Sequence, residues 1–482
     1  MRLLQLAARA ARVLPGRRGA VAAFLTDRAT MDRGASPAQL GRTIRRLLSA
    51  ADARLDAGDV DAACELAVKA QILAFHPRGM AQEHTPASDD AQLAPFRASR
   101  IGQLLHGPVP AAPPAVGKRA STAAAGEIRL LVVAHKNFTF ADRLIDLLRD
   151  EPGLAIEKID LAELGLDDAL QLAPLTRDRV RIARGGARIQ PPPALAEAIR
   201  RSDVVLAEWG NQTLAYMSML DGLGTSRGGA PLLSRVHRYE LDTAPWHLAD
   251  VASVDSWLFI AAHIARRAQH QRGIEEDRIH LVHNANDLAR FDERKSTGAE
   301  RTLLHEGWSR RAKDVGFALD VLELLPEDDP PWRLLLAGRP AAPGADPETD
   351  ALRARIDAAG AVEILGFRDD MPRVLEDVGF ILSTSLGEGS HEVVAEGAAA
   401  ACVPVVRDWP HNRGYGGAVS VYPEQWVVAD AERAARRILD LQNPAVQRRE
   451  GAAARRFILS SREPAQVRES YVAILRGLAA DA

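Results

Sequence analysis

Beyond residue 127, short continuous apolar runs alternate with longer stretches whose apolar positions recur every three or four residues. "IRLLVVA" (128–134), "DVVLAE" (203–208), "PLLSRV" (231–236) and "SWLFIA" (256–261) are runs of the first kind, divided by helical patterns such as "ADRLIDLLRDE". After the polar stretch "DERKSTGAE" (292–300) the rhythm restarts with "RTLLHEG" (301–307), "WRLLLAG" (332–338), "VEILGF" (362–367), "GFILSTS" (379–385) and "VPVVRD" (403–408). A strand apolar on both sides is covered on both faces, so each series predicts a parallel sheet between helix layers. Two series predict two Rossmann-like, doubly wound α/β domains facing each other across a cleft. Ligands of such sheets collect outside the carboxyl ends of the strands.

The first 126 residues read differently. "SPAQLGRTIRRLLSAADARL" offers Ser36 as a helix N-cap, Pro37 in the first turn and Gln39 as capping partner. "VDAACELAVKAQILAFHP" patterns as a second helix. This pair, within residues 36–105, resembles a single tetratricopeptide unit, which must cover its apolar face with the main body or a protein partner. Residues 106–126 are rich in Pro, Ala and Gly and read as a linker. Residues 1–35 form a basic, apolar tail with Arg2, Arg9, Arg12, Arg17 and Arg18 and no acid before Asp27. A helix lying on a membrane surface fits that tail, and so does an unused leader. The expected boundaries are 127–291 for the first α/β domain, 292–300 for an interdomain linker and 301–455 for the second domain, with 456–482 a C-terminal helix returning to the first.

Composition removes several classes. At 482 residues the chain is too long for one core. A net charge of -3 supplies no field for nucleic acid, so no nucleic-acid partner is expected. Cys64 and Cys402 are the only cysteines, too few and too far apart for a disulfide framework or a zinc site, which fits a reducing cytoplasm. No apolar stretch approaches the roughly 18 residues of a membrane span. Membrane contact is therefore expected through the N-terminus only.

The first strand runs into "AHKNFTF", without a glycine, and "GLGTSRGG" (222–229) precedes a strand instead of following one. Both facts argue against a dinucleotide and hydride chemistry. "LGEGSHEVVAEG" (386–397) does follow a strand and opens a helix. There Gly387 and Gly389 would let an anion approach free amides. Glu388 on the loop and Glu396 in the helix would address two parts of one ligand, since a carboxylate accepts two hydrogen bonds and matches vicinal sugar hydroxyls. His237 closes "PLLSRV" at the carboxyl end of its strand, with Arg235 and Glu240 placed to orient it. Glu208 and Lys136 reach the cleft rim and read as structural ion pairs.

The block "VEILGFRDDMPRVLEDVGFILSTSLGEGSHEVVAEGAAAACVPVV" resembles the nucleotide-binding half of the retaining family 4 glycosyltransferases (glycosyl transferases group 1), which have the GT-B fold. Gly366, Glu388 and Glu396 match its motif positions. "LVHNANDLARF" resembles the family's "PNGVDxxxF", with Asn284 and Asp287 matching and His283 and Ala285 departing. "EWGNQTLAYMS", "SRVHRYELDT" and "VDSWLFIAAHIARR" resemble the N-terminal half of polysaccharide- and capsule-type members, and the resemblance runs from about residue 127 to 475. It implies a nucleoside-diphosphate-sugar co-substrate and no other cofactor or metal. Glu396 would hold the ribose, Glu388 the donor sugar beside the amides of Gly389 and Ser390, and Lys313 the diphosphate. His237 would stand near the reacting centre. Where the family has an arginine this chain has Trp308, after Gly307, which leaves Arg310 or Arg311 to supply a guanidinium. The implied activity is sugar transfer with retention to a hydroxyl of a glycan, lipid-linked or other acceptor, in cell-envelope or capsular glycan synthesis. The same fold serves nucleotide-sugar epimerases and phosphorylases. A non-catalytic nucleotide-sugar-binding scaffold that recruits a partner through residues 36–105 is the alternative outside enzymology.

Overall fold

The computed structural model describes residues 16–77, 82–109, 127–284, 286–292, 294–327, 329–339 and 347–481. Two parallel six-stranded sheets organise it. The first comprises β1 (Ile128–Ala134), β2 (Leu154–Asp160), β3 (Val204–Glu208), β4 (Leu232–Val236), β5 (Ser256–Phe259) and β6 (Ile279–Leu281), in the order β2-β1-β3-β4-β5-β6. The second comprises β7 (Thr302–Glu306), β8 (Arg333–Ala337), β9 (Val362–Gly366), β10 (Phe380–Ser383), β11 (Val403–Arg407) and β12 (Val427–Val428), in the order β12-β11-β10-β7-β8-β9. Every residue of β3, β4 and β5 is buried, because helices cover both faces. The strand order reverses between β1 and β3 in one sheet and between β7 and β10 in the other. The loops leaving those strands diverge and open a crevice, which is where such sheets bind ligands.

The edge strands β2 and β12 escape an apolar-run reading: all of "LAIEKID" is at least partly exposed, and β12 is two residues long. The C-terminal helix Pro464–Asp481 lays Val467, Tyr471, Val472 and Leu475 on the first sheet, among Leu130, Val132, Leu206 and Leu233.

Ahead of the sheets lies more than one helical pair. The elements are α1 (Gly16–Asp32), α2 (Leu40–Asp56), α3 (Val60–Ala74), α4 (Pro86–Arg97) and α5 (Arg100–His106). The α2 helix starts at Leu40 behind Gln39, which makes no side-chain cap, so the expected Ser36–Pro37 start is not used. Asp59, Thr85 and Ser99 cap the next three helices instead, Thr85 in a reciprocal box with Ser88. Half of the expected basic tail is α1: it buries Ala20, Ala23, Phe24 and Met31, its Asp27 accepts from Thr43 at 2.5 Å, and its Arg17 pairs with Glu65 at 2.9 Å. An apolar face used this way is not available to a lipid surface. Residues 1–15, the rest of that tail, lie outside the described residues, as do 110–126, most of the expected linker. Among the described residues, no helix is long and apolar enough to cross a membrane.

The helical extension packs on the first α/β domain. Leu47, Leu66 and Leu73 share one core with Leu175, Val180 and Trp246, Gln71 bonds Thr176 at 3.0 Å, and Arg179 Nε donates to Leu105 O at 2.9 Å. Its α4 end reaches both domains. Asp89, 1% exposed, accepts from Arg267 of the first domain at 2.8 and 3.0 Å and from the Tyr415 hydroxyl of the second at 2.9 Å.

Candidate functional site

The loops after β7 and β10 meet at the reversal point of the second sheet. The β7 loop ends in a single turn, Arg311–Lys313, and Leu386 N donates to Ala312 O at 2.8 Å, which ties the two loops together. Lys313 Nζ then lies 2.8 Å from Glu388 Oε1 and 3.9 Å from Glu306 Oε2. Burial opposes ionisation of Glu388. The His391 ring once protonated in acid, the Lys313 ammonium and the Ser385 hydroxyl overcome it and hold the carboxyl down at about 2. His391 and His305 are held neutral, pushed down to about 3 and about 4, first by burial, while the Lys313 charge also acts on both. Lys313 and Glu388 thus form a charged pair between uncharged rings.

Two non-glycine residues with positive φ flank this pair: Asp314 at 44° and His391 at 43°. Such backbones persist only when pinned. Arg407 Nη1 donates to Asp314 Oδ2 at 2.6 Å, and His391 Nδ1 meets Ser383 Oγ at 2.6 Å. The turn at His391 leads straight into the helix Glu392–Ala399. Among the described residues, no acceptor takes the amides of Gly389, Ser390 or His391. They form a row of donors suited to an anion.

Glu396 sits inside that helix, at a cavity of about 420 Å³ lined by Arg143, Asn286, Asp287, Arg290 and Glu396 itself. Burial raises its pKa; Arg290, 3.4 Å away, opposes this, while Glu392 and Glu306 add to it. Glu306 therefore links the two ends of the site, contacting Lys313 and acting on Glu396. Gly366, φ 70°, ends β9 with open space where a side chain would start. Beside it Phe367 is 68% exposed, with the Arg339 guanidinium 5.6 Å from its ring centre.

On the first domain, His237 follows β4 directly. Its ring lies 4.4 Å from Trp209 and 4.8 Å from Phe140, and neither ring nitrogen has a hydrogen-bond partner. Glu240 does hold it, accepting from His237 N at 3.0 Å with Nδ1 3.5 Å away. Arg235 does not. It pairs with Glu208 at 2.9 Å and donates to Tyr471 at 3.1 Å, an internal clamp on the C-terminal helix. Lys136 pairs with exposed Asp167 at 2.7 Å.

The two arginines expected at this site lie elsewhere. Arg311 turns outward to Glu348 at 3.0 Å, and with exposed Arg310 it lines a separate recess of about 290 Å³ with Thr349 and Arg355. Trp308 fills the core side of the same loop and swings both arginines to the outside. Gly387 and Gly389 are not open to a ligand on their side-chain faces. A β-carbon at 387 would come 2.7 Å from Asn412 Oδ1, and one at 389 would come 3.0 Å from Ile260 Cδ1. These glycines admit protein neighbours, among them the first domain.

Other residues were not legible beforehand. Asn412 Oδ1 accepts from Glu388 N at 3.0 Å and fixes the loop. Glu392 is gripped by Asn284 (3.3 Å), Asn286 and Ser390, so both asparagines hold the helix start. His263 of the first domain reaches Glu388 O at 2.9 Å. Among the described residues, no group of His, Cys, Asp or Glu could hold a metal ion.

Residues 300–443 match the family described as Glycosyl transferases group 1. No curated protein matches the chain. Among solved structures, Anabaena HepE, described as in complex with UDP-glucose, is similar at TM-score 0.51 and 14% identity, over 73% of this chain and all (100%) of that one. A glycosyltransferase from Rickettsia africae is similar at TM-score 0.51 and 12% identity, over 73% and 98%. Sucrose-phosphate synthase from Thermosynechococcus elongatus is similar at TM-score 0.50 and 12% identity, over 74% and 100%. At these identities the likeness establishes architecture: two facing α/β domains of the GT-B type.

Proposed function

We propose that the protein transfers a sugar from a nucleoside-diphosphate-sugar to an acceptor hydroxyl. The observation that carries this reading is the Lys313–Glu388 pair at 2.8 Å, set beside unused loop amides at the reversal point of the second sheet. The group 1 match to residues 300–443 spans that whole site. A diphosphate needs cations and amide donors, a ribose or hexose needs carboxylates, and this mouth supplies both.

In this reading Glu396 receives the ribose hydroxyls. Phe367, exposed at the end of β9, offers a flat face to the base. The diphosphate lies on the amides of Gly389, Ser390 and His391, near Lys313. Charge grows on the leaving diphosphate as the glycosidic bond breaks, and preorganised donors stabilise it without reorganising. Glu388, ionised at neutral pH, accepts hydrogen bonds from the donor sugar and fixes Lys313. His237, with two unpartnered nitrogens in a box of aromatic rings, faces the acceptor side. Following the resemblance to the retaining family, the departing phosphate takes the acceptor's proton as the hydroxyl attacks from the face that the diphosphate leaves, which keeps the configuration and calls for no metal.

The resemblance of residues 127–291 to polysaccharide-type enzymes favours a glycan or lipid-linked acceptor in envelope or capsule synthesis, at the cytoplasmic face of a membrane. The test is a panel of nucleotide sugars assayed for nucleoside diphosphate release. Release that requires an acceptor, is insensitive to EDTA, and gives a product with the donor's anomeric configuration supports the proposal. Tight donor binding with no turnover against any acceptor, unchanged by Lys313→Gln, would replace it with the binding-scaffold reading.

A further inference from the structure

The charges at the mouth of the second sheet do not balance for a diphosphate. Lys313 is already paired with Glu388, while Glu306 stands 3.9 Å away on its other side. Arg310 and Arg311 face a different recess. Yet one guanidinium does reach this loop, and it comes from the opposite domain. Arg238 follows His237 at the end of β4, and its side chain runs along the 387–389 segment. Its Cβ lies 3.9 Å from the point where a Gly389 β-carbon would sit, and its Nη1 lies 3.6 Å from the corresponding point at Gly387.

Arg238 is half-buried, and among the described residues no carboxylate lies within ion-pair distance of it and no acceptor takes its N–H groups. Its charge is felt locally: alongside burial, it helps push His263 and His411 down to about 4. A guanidinium carries five donors and cannot discharge itself by losing a proton, so a partly desolvated one without an acceptor is costly unless an anion joins it. The amides beside it are unused too. Planar paired donors suit phosphate oxygens.

We propose that Arg238 is the guanidinium that grips the donor's diphosphate, clamping it to the 387–391 loop together with Lys313. The assignment rests on the donor reading above and adds to it that the acceptor domain supplies part of the diphosphate site. The bound nucleotide then holds the two domains together, and the site is incomplete when they part.

The experiment measures affinities of the full-length chain for UDP, ADP, GDP, CDP and dTDP by calorimetry, in the parent and in Arg238→Ala and Arg238→Lys. The parent binds one of these diphosphates. Arg238→Ala weakens it roughly 10- to 100-fold, as expected for a lost charge-assisted hydrogen bond. Arg238→Lys falls between, because an ammonium restores charge but not the fork. Binding of the matching phosphate-free nucleoside does not change, which a general structural defect would not spare. Equal diphosphate affinity in the parent and both variants overturns the Arg238 assignment and leaves the donor reading standing. A folded parent that binds none of the five overturns both.

Discussion

Lys313 Nζ stands 2.8 Å from Glu388 Oε1, joining the loop after β7 to the loop after β10. The contact converts two isolated charges into one oriented pair, and each partner predicts a different defect. Lys313→Gln removes the cation that meets the leaving diphosphate, so kcat should fall about 100- to 1,000-fold, the usual loss for one preorganised donor. Glu388→Gln frees Lys313. Nucleoside diphosphate should bind at least as well as before, while transfer falls about 10- to 100-fold with the lost sugar contact. Parallel calorimetry and steady-state rates separate the two patterns. A fall in diphosphate affinity for Glu388→Gln would contradict the assigned roles.

Glu388 also makes a statement about acid stability. Its carboxyl sits at about 2 in the folded protein, against an ordinary 4.5. A group depressed on folding stabilises fully above the unfolded value and loses that contribution as pH falls toward the folded one. Melting temperature measured from pH 7 to pH 2 should therefore drop less steeply below about 4.5 for Glu388→Gln than for the parent.

Glu396 moves the other way. Burial raises its carboxyl above the ordinary value, with Arg290 opposing and Glu392 and Glu306 adding. Ribose hydroxyls need the ionised form as acceptor, so nucleotide affinity should decline on acidification at a pH above the usual carboxylate range. Folding stability has the opposite sign: the folded state binds this proton more readily, so this residue's contribution rises as pH falls through the raised value. Glu396→Gln should weaken nucleotide binding at neutral pH and flatten its acid limb. An unaltered limb would remove Glu396 from the nucleotide site.

The parts of this fold legible in the sequence are those in which adjacent residues share one environment. The stretch "LLVVA" of β1 is apolar without a break because each of its residues is buried between the helix layers. Edge strands such as "LAIEKID" answer to water on one side and leave no such run. The same division holds at the site. Glu388 and Glu396 lie eight positions apart in one stretch that follows a strand, and Lys313 lies a few residues beyond another, so the family resemblance could reach all three. Arg238, Asn412 and Glu392 act through contacts between segments far apart in the chain, which no local spacing encodes. Gly387 and Gly389 show the ambiguity plainly, since a missing side chain permits close approach by either a ligand or a neighbouring domain. At α1 an Ala- and Arg-rich stretch has too few large apolar residues to show its face, although Ala20 and Ala23 are enclosed.

Asp89 predicts how much the extension contributes. Its carboxylate is buried between Arg267 and Tyr415, one from each α/β domain, and His84 Nδ1 lies 3.8 Å from it. Asp89→Asn leaves Arg267 with Asp242 alone, at 2.6 Å. Breaking a buried pair by removing one partner should cost roughly 3–5 kcal/mol in unfolding free energy. Tyr415→Phe, which deletes one hydrogen bond, should cost about 1–2 kcal/mol. Urea titration of the full chain measures both. Equal, small effects would mean that the cluster is solvated and the extension only rests on the domains.

The two loop glycines make the last contrast, because the same added methyl meets different neighbours. At 389 the new β-carbon comes 3.0 Å from Ile260 Cδ1, the mobile end of a side chain that can yield by rotating. At 387 it comes 2.7 Å from Asn412 Oδ1, the atom that accepts from Glu388 N, and 3.0 Å from His411 Cβ. Asn412 cannot move away without releasing the Glu388 amide and with it the position of the carboxylate on Lys313. Gly389→Ala should therefore keep transfer within about threefold of the parent, as a contact that relaxes costs little. Gly387→Ala should lower kcat at least about 30-fold while leaving the melting temperature within a few degrees, since a small displacement of a catalytic group is enough to lose that much. Asn412→Ala should reproduce the Gly387→Ala defect, and the double variant should be no worse than either single one, because both act through the same hydrogen bond. Additive losses in the double variant would show that Gly387 serves a ligand directly, and that the crowding by Asn412 is incidental.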